Sequence, residues 1–352
     1  MEEKIFISTF PMLTAENPYQ NLLIEHLAGC GVENVKEKVF LFDALKRYKG
    51  KVHILHFHWL FDQVRTPKRV AKFLARVVEA KLLGYKIVWT VHNVKGHESE
   101  GWRGWMARHG LAMLADAQIA HGENVKKMIQ EEYGTGDKVH VIPHANYIGF
   151  YPNTISRQEA RKKLGIPEDR FVYLFFGLVR KYKGIENLID SFEKLGGSAT
   201  LVIAGNSYDE DYRREVREKV EGRKDVILRL ERIPEDEVQA YFNACDTVVL
   251  PFTQITTSGS LLLALSFAKP VITVNKGGIP EIVTDEFGVL IGDDGELADA
   301  LDKIRKMDVK SMGQKAYEKA GSWGWDDVAR AHHKVYQELL GINRSSVSNK
   351  NP

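Results

Sequence analysis

The residues 171–189, FVYLFFGLVRKYKGIENLI, close an apolar run with three cations, Arg180, Lys181 and Lys183. Val172–Phe176 has the β-branched and aromatic content of a strand buried on both faces, Gly177 breaks it, and Gly184 opens a helix. The cations therefore stand just beyond the carboxyl end of a strand. In an open parallel sheet ligands bind there, and cations beside a helix N-terminus suit a diphosphate. A short basic run is as often a solvated loop, so its meaning depends on what surrounds it.

A second stretch has matching chemistry. Thr256, Thr257, Ser258, Gly259 and Ser260 lead into an apolar helix, Leu261–Phe267, so free N–H groups and hydroxyls converge at its start. Such a terminus carries about half a positive charge and binds phosphate. Taken alone, TSGS reads as an ordinary N-cap. Its position between strands Thr247–Phe252 and Pro270–Val274 puts it on the same sheet edge as Arg180 and Lys183.

Histidines supply a third cluster. Ten of the twelve precede residue 151, and His56, His58, His92, His121 and His144 each close or follow a predicted strand. One such histidine is usually a satisfied core or rim residue, but five at the carboxyl edge of one sheet point to a shared cleft. His92 ends KIVWTVHN, with Asn93 beside it as a hydroxyl ligand and His97 and Glu98 on the loop that follows. Glu16, in STFPMLTAENPYQ, can act as a general base if the chemistry inverts a centre.

The elements that position these groups alternate strand and helix throughout, as in parallel sheets built from right-handed crossovers. Strands are expected near Lys4–Thr9, Val52–His58, Lys86–His92, Ala117–His121 and Val139–Pro143, then near Val172–Gly177, Ala199–Gly205, Val226–Leu230, Thr247–Phe252 and Pro270–Val274. The fold class is α/β, with two doubly wound parallel-sheet, Rossmann-like domains. At 352 residues the chain is too long for one ordinary core. The boundary is placed at Tyr151–Ile155, giving domains over 1–153 and 154–324, a helix over 325–341 and a disordered tail over 342–352.

Composition excludes several classes. With 44% hydrophobic and 27% charged residues the chain reads as a globular protein, and a net charge of +2 makes no demand for nucleic acid. Residues 1–150 hold 20 Lys and Arg against 16 Asp and Glu, an asymmetry that permits an anionic lipid or phosphate partner. Cys30 and Cys245 read as small core residues without metal spacing. MEEKIFIST does not read as a signal peptide, and no apolar run reaches the roughly 18 residues of a span. A cytoplasmic protein, at most attached to the inner face of a membrane, is expected. Helix Trp102–Leu114 mixes Trp102, Trp105 and Met106 with Arg103 and Arg108. Its aromatics packed inward is the first expectation; a peripheral membrane contact is the alternative.

The spacing of Gly177 to Lys183-Gly184, the small-residue helix after Ser258, the Lys269-Pro270-Val271 strand start and Gly277-Gly278-Ile279-Pro280-Glu281 together resemble family 4 glycosyltransferases of the GT-B fold. The resemblance covers nearly the whole chain and is densest over 140–281. Two departures stand out. Arg180 lies three residues after the glycine where the family usually has one, and the positions of its paired glutamates fall on Ile255 and Leu263.

The resemblance implies transfer of a hexose from a UDP- or GDP-linked sugar to a saccharide or lipid-linked acceptor, in polysaccharide or glycoconjugate synthesis, with two domains facing across a cleft. It implies no cofactor: fixed cations take the diphosphate charge, and no metal is expected. Lys183 and Arg180 would hold the diphosphate, with Thr257, Ser258, Gly259 and Ser260. Glu281 is a further substrate ligand, the backbone of Ile233 meets the nucleobase, and His92 meets the sugar. The terminal helix would return to the first domain. A non-catalytic nucleotide-sugar-binding protein and a GT-B nucleotide-sugar epimerase share these features, and both retention and inversion stay open.

Overall fold

Continuous apolar runs make the central strands, because a parallel strand covered by helices on both faces has no wet side. The computed structural model describes residues 4–11, 18–60, 65–96, 101–197 and 199–342. It divides into two units, residues 1–144 with 324–352, and residues 145–323.

The first unit runs β1 (Ile5–Phe10), α1 (Pro18–Gly29), β2 (Val32–Asn34), α2 (Phe42–Tyr48), β3 (Ile54–Phe57), α3 (Pro67–Leu82), β4 (Lys86–Thr90), α4 (Gly101–Leu114), β5 (Ala117–Ala120), α5 (Glu123–Tyr133) and β6 (Val139–Val141). Its strands pair in parallel in the order β2-β1-β3-β4-β5-β6. The order reverses direction after β2. Right-handed crossovers then put α1 on one face and α2 to α5 on the other. Phe40, Phe57, Phe73, Trp89 and Leu111 fill the core beneath α2 to α5.

The second unit runs α6 (Arg157–Leu164), β7 (Phe171–Phe176), α7 (Ile185–Glu193), β8 (Ala199–Ala204), α8 (Glu210–Lys219), β9 (Val226–Arg229), α9 (Val238–Ala244), β10 (Thr247–Leu250), α10 (Gly259–Ser266), β11 (Val271–Val274), β12 (Gly288–Ile291), α11 (Leu297–Ile304) and α12 (Val309–Gly321). Its parallel order is β12-β11-β10-β7-β8-β9. The last helix, α13 (Trp325–Leu340), belongs to the first unit and packs on α1.

The division falls at His144, ahead of the boundary segment read from the sequence. Hydrogen bonds give the reason. The Asn146 amide donates to the Ala320 and Trp323 carbonyls at 2.9 Å each, and the Tyr147 N–H donates to Ser266 Oγ at 2.9 Å. The Thr154 N–H donates to Gln239 Oε1 at 2.8 Å. Residues 145–154 are thus tied to the second unit. Of the expected tail 342–352, residues 343–352 lie outside the described residues.

One buried ion organises the start of the second sheet. Arg161, fully buried on α6, donates to the carbonyls of Ala244, Pro167, Glu168 and Arg170 and to Asp246 at 2.9 Å. Asp246 also accepts the Val172 N–H at 2.8 Å, which sets the first residues of β7 beside the start of β10. Removing one partner of a buried ion pair leaves the other charge and the carbonyls dry. Arg161→Met is expected to lower unfolding stability by about 3 to 5 kcal/mol in urea titration.

Candidate functional site

At the carboxyl edge of the second sheet, three glycines allow loops to touch backbone to backbone. Gly184 has φ +71°, and a Cβ there would sit 2.0 Å from the Pro251 carbonyl oxygen. A Cβ on Gly205, with φ +145°, would lie 1.9 Å from the Gly177 carbonyl oxygen, and one on Gly177, with φ +133°, would lie 2.7 Å from Ser260 Oγ. Side chains are excluded at these positions by both space and conformation. The loop after β7 is in this way seated on the loop after β10, where the Thr253 N–H donates to the Tyr182 carbonyl at 2.9 Å.

That seating brings the predicted cations over the second loop. Lys183 Nζ stands 4.2 Å from the centroid of the buried Phe252 ring and 5.0 Å from that of Tyr182. Loss of water around the ammonium, and then the like charge of Arg180, lower Lys183 to about 7. Among the described residues neither Arg180 nor Lys183 has a carboxylate partner. Lys181, by contrast, points to Glu215 at 3.3 Å on the outer surface. Two neighbouring cations without counter-charge are arranged to take an anion.

Ser258 caps α10, accepting the Leu261 N–H at 3.2 Å, while Gly259 is exposed and Ser260 and Thr257 are half-buried. The glycine pair also joins this edge: the Gly278 N–H donates to the Thr256 carbonyl at 2.9 Å, and a Cβ on Gly277 would meet the Ile255 carbonyl at 2.4 Å. Glu281 follows as an exposed residue of a 3₁₀ turn. Of the two glutamate-equivalent positions, Leu263 is buried in α10 and Ile255 is half-buried. Ile233, half-buried beyond β9, lies at the far edge of the sheet, two strands from β7.

The carboxyl edge of the first sheet gathers the histidines around one tyrosine. Tyr19, fully buried on α1, has ring-centroid distances of 5.0 Å to His92, 4.7 Å to His144, 5.6 Å to His121 and 5.8 Å to His58. His92 lies flat on Trp59 at 4.1 Å and 13°, and its Nε2 bonds His58 Nδ1 at 3.2 Å. His56 bridges Thr90 Oγ1 at 2.8 Å and Tyr336 Oη at 2.7 Å. His121 Nδ1–H donates to the Ile142 carbonyl at 3.0 Å, which fixes its tautomer because a carbonyl can only accept. Burial, reinforced by neighbouring histidines, holds His56, His58 and His92 well below their ordinary range. Burial also takes His121 and His332 down to about 4. These five histidines are thus neutral near pH 7. No group of three or more His, Cys, Asp or Glu among the described residues is arranged to hold a metal ion. Asn93 follows His92, half-buried; Glu16, His97 and Glu98 lie outside the described residues.

Sequence reading missed His332 and Tyr336, which enter this cluster from α13 at a separation of 280 residues from His56 for Tyr336. They lie on the buried face of an amphipathic helix, a pattern that marks the face and not its partner. Sequence reading also missed Gly205, a lone glycine after a strand. One expectation is overturned: the α4 aromatics do not pack inward, Trp102 being 59% and Trp105 52% exposed. The small residues Gly104 and Ala107, with Leu111, occupy the inner face instead and let α4 approach the sheet closely.

Residues 156–321 match the family described as glycosyl transferases group 1. The match lies wholly within the second unit. The GDP-mannose:glycolipid 4-beta-D-mannosyltransferase of Xanthomonas campestris pv. campestris is 26% identical to it over 302 residues, 83% of this chain and 81% of that protein. Among solved structures, sucrose-phosphate synthase from Thermosynechococcus elongatus superposes with a TM-score of 0.79 at 17% identity, covering 97% of this chain and all of the other. Anabaena Alr3699/HepE in complex with UDP-glucose gives 0.74 at 16% identity, covering 97% and 100%. The two six-stranded parallel sheets are those of the GT-B fold.

The buried neutral histidines make this protein sensitive to acid. A histidine that titrates near 6.5 unfolded and near 4 folded leaves stability intact above pH 6.5 and removes it as pH falls toward 4, because the unfolded chain binds the extra proton. Each such group contributes a slope of about 1.4 kcal/mol per pH unit in that window. The thermal midpoint is expected to fall steeply from pH 6.5 to 4.5, and His332→Leu to flatten the fall.

Proposed function

We propose that the chain transfers a hexose from a nucleotide diphosphate sugar to a hydroxyl of a saccharide or lipid-linked acceptor. The observation that carries this reading is the pair Arg180 and Lys183, held without carboxylate partners beside the capped start of α10. Breaking the glycosidic bond of such a donor leaves its electron pair on the diphosphate, and the nearest need is positive charge. The two side chains and the free N–H groups at α10 supply it, each charge-assisted contact contributing about 1.5 to 3 kcal/mol.

In this reading Lys183 is the principal ligand, because its ammonium gains a counter-ion it lacks in the free protein. Thr257, Ser258, Gly259 and Ser260 offer donors to the phosphates, and Glu281 a carboxylate to a hydroxyl. His92 with Asn93 is the sugar-facing group of the first unit. The Ile233 backbone is the proposed nucleobase contact. Charge supplied by the protein takes the place of a metal, so excess EDTA should leave turnover unchanged. The mannosyltransferase relative names GDP-mannose as its donor, which makes GDP and GDP-mannose the first ligands to test, with UDP and UDP-glucose beside them.

Lys183→Ala is expected to weaken nucleotide diphosphate binding by roughly 10- to 150-fold in calorimetry, following the loss of one charge-assisted contact. Unchanged affinity and turnover would remove the reading. A donor sugar altered without any acceptor would instead identify an epimerase.

The pH dependence has a defined sign. Lys183 in the free protein is protonated below about 7, and a bound diphosphate favours that charged form. Donor affinity is expected to be level below pH 7 and to fall by up to about tenfold per unit above it. Calorimetry in buffers of differing ionisation enthalpy should register proton uptake on binding at pH 8.

A further inference from the structure

Eleven large hydrophobic residues are exposed among the described residues, and eight of them fall between Leu41 and Met113. The most exposed of these lie on α3 and α4, which pack side by side on one face of the first sheet. On α4, Trp102, Met106 and Met113 follow one line along the helix at spacings of four and seven residues, with Trp105 beside them. Their exposures are 59, 40, 62 and 52%. On α3, Val78 and Leu82 stand one turn apart at 42 and 83%. The two helices touch where Leu74 meets Gly110: a Cβ on that glycine would lie 2.5 Å from the leucine side chain.

The two helices that carry this apolar surface are strongly cationic. α3 carries five Lys and Arg and one acid, Glu79, and α4 carries Arg103 and Arg108 with no acid. Of these cations, Lys81 is matched by Asp116 at 2.5 Å. Lys68 and Lys72, both exposed, flank the α3 end of the surface, and Arg103 reaches across to the Arg65 carbonyl at 2.7 Å. Tryptophan and long cationic side chains with their apolar stems are the residues that settle at a bilayer interface, where one end is apolar and the other wet.

We propose that the outer surface of α3 and α4 docks on an anionic lipid bilayer. The tryptophans and methionines enter the headgroup boundary, and the lysines and arginines meet the lipid phosphates. No helix among the described residues is long and apolar enough to cross a membrane, so attachment is to one surface. This docking surface is separate from the proposed donor residues and stands on the first unit alone.

The test is sedimentation of the whole protein with vesicles of phosphatidylcholine, or of phosphatidylcholine with about one third phosphatidylglycerol, at low and high salt. The protein is expected to pellet with the anionic vesicles at low salt, with a blue shift of tryptophan fluorescence, and to be released by salt. Trp102→Ser with Trp105→Ser should weaken partition by about tenfold or more, and Lys68→Glu with Lys72→Glu should abolish the preference for anionic lipid. Circular dichroism and nucleotide affinity, unchanged in both variants, separate loss of docking from loss of fold or of the donor site. Wild-type protein that ignores anionic vesicles at low salt, or variants that pellet as it does, would overturn the proposal. So would a dimer in solution that the tryptophan variant dissolves in the absence of vesicle binding, which would make a second copy the occupant.

Discussion

Gly184 against the carbonyl of Pro251 is the contact on which the second unit's chemistry rests. At that distance the position admits no Cβ, and the chain there adopts a left-handed turn that starts α7. Because the loop after β7 cannot lift from the loop after β10, Lys183 has one place to go, over the face of Phe252. Gly177 and Gly205 repeat the arrangement one strand across. The ligand-facing edge is shaped by main chain, which has few ways to relax, and the side chains are set on that frame.

The two units use opposite electrostatic means at equivalent sheet edges. In the second, Arg180 and Lys183 have no carboxylate partner among the described residues, and burial and then the like charge of Arg180 lower Lys183. In the first, burial around Tyr19, with neighbouring histidines adding to it for His58 and His92, disfavours protonation, and the edge offers rings and lone pairs. Chemistry that needs charge and chemistry that needs neutral hydrogen bonding are thereby assigned to different domains of one fold.

Much of this was legible in the sequence, and the exceptions share physical causes. Strands such as Val172–Phe176 and Val248–Leu250 announce themselves because burial on both faces leaves only apolar residues. The edge strands β2 and β12 did not: Val-Glu-Asn has one buried residue, and β12 is four residues long. Lys183 and Ser258 could be singled out as candidates because a local pattern carries each. His332 and Tyr336 meet His56 only through the fold, and no local pattern states such a contact. Arg161 sits in a helix of charged residues that reads as a wet surface, yet the chain folds its own carbonyls around it. The α4 tryptophans show the limit of amphipathic reasoning: an apolar stripe says which residues share a face, and not which face turns inward.

The bond from Tyr336 to His56, and the packing of α13 on α1, have a consequence for how the molecule is made. The second unit is contiguous, residues 145–323, whereas the first is completed by residues beyond 323. During synthesis residues 1–144 must wait for α13, which emerges after the whole second unit. Their histidine edge stays open to water until α13 arrives, while the second unit closes on contacts of shorter separation. Completion of the first unit therefore waits for α13 to be made.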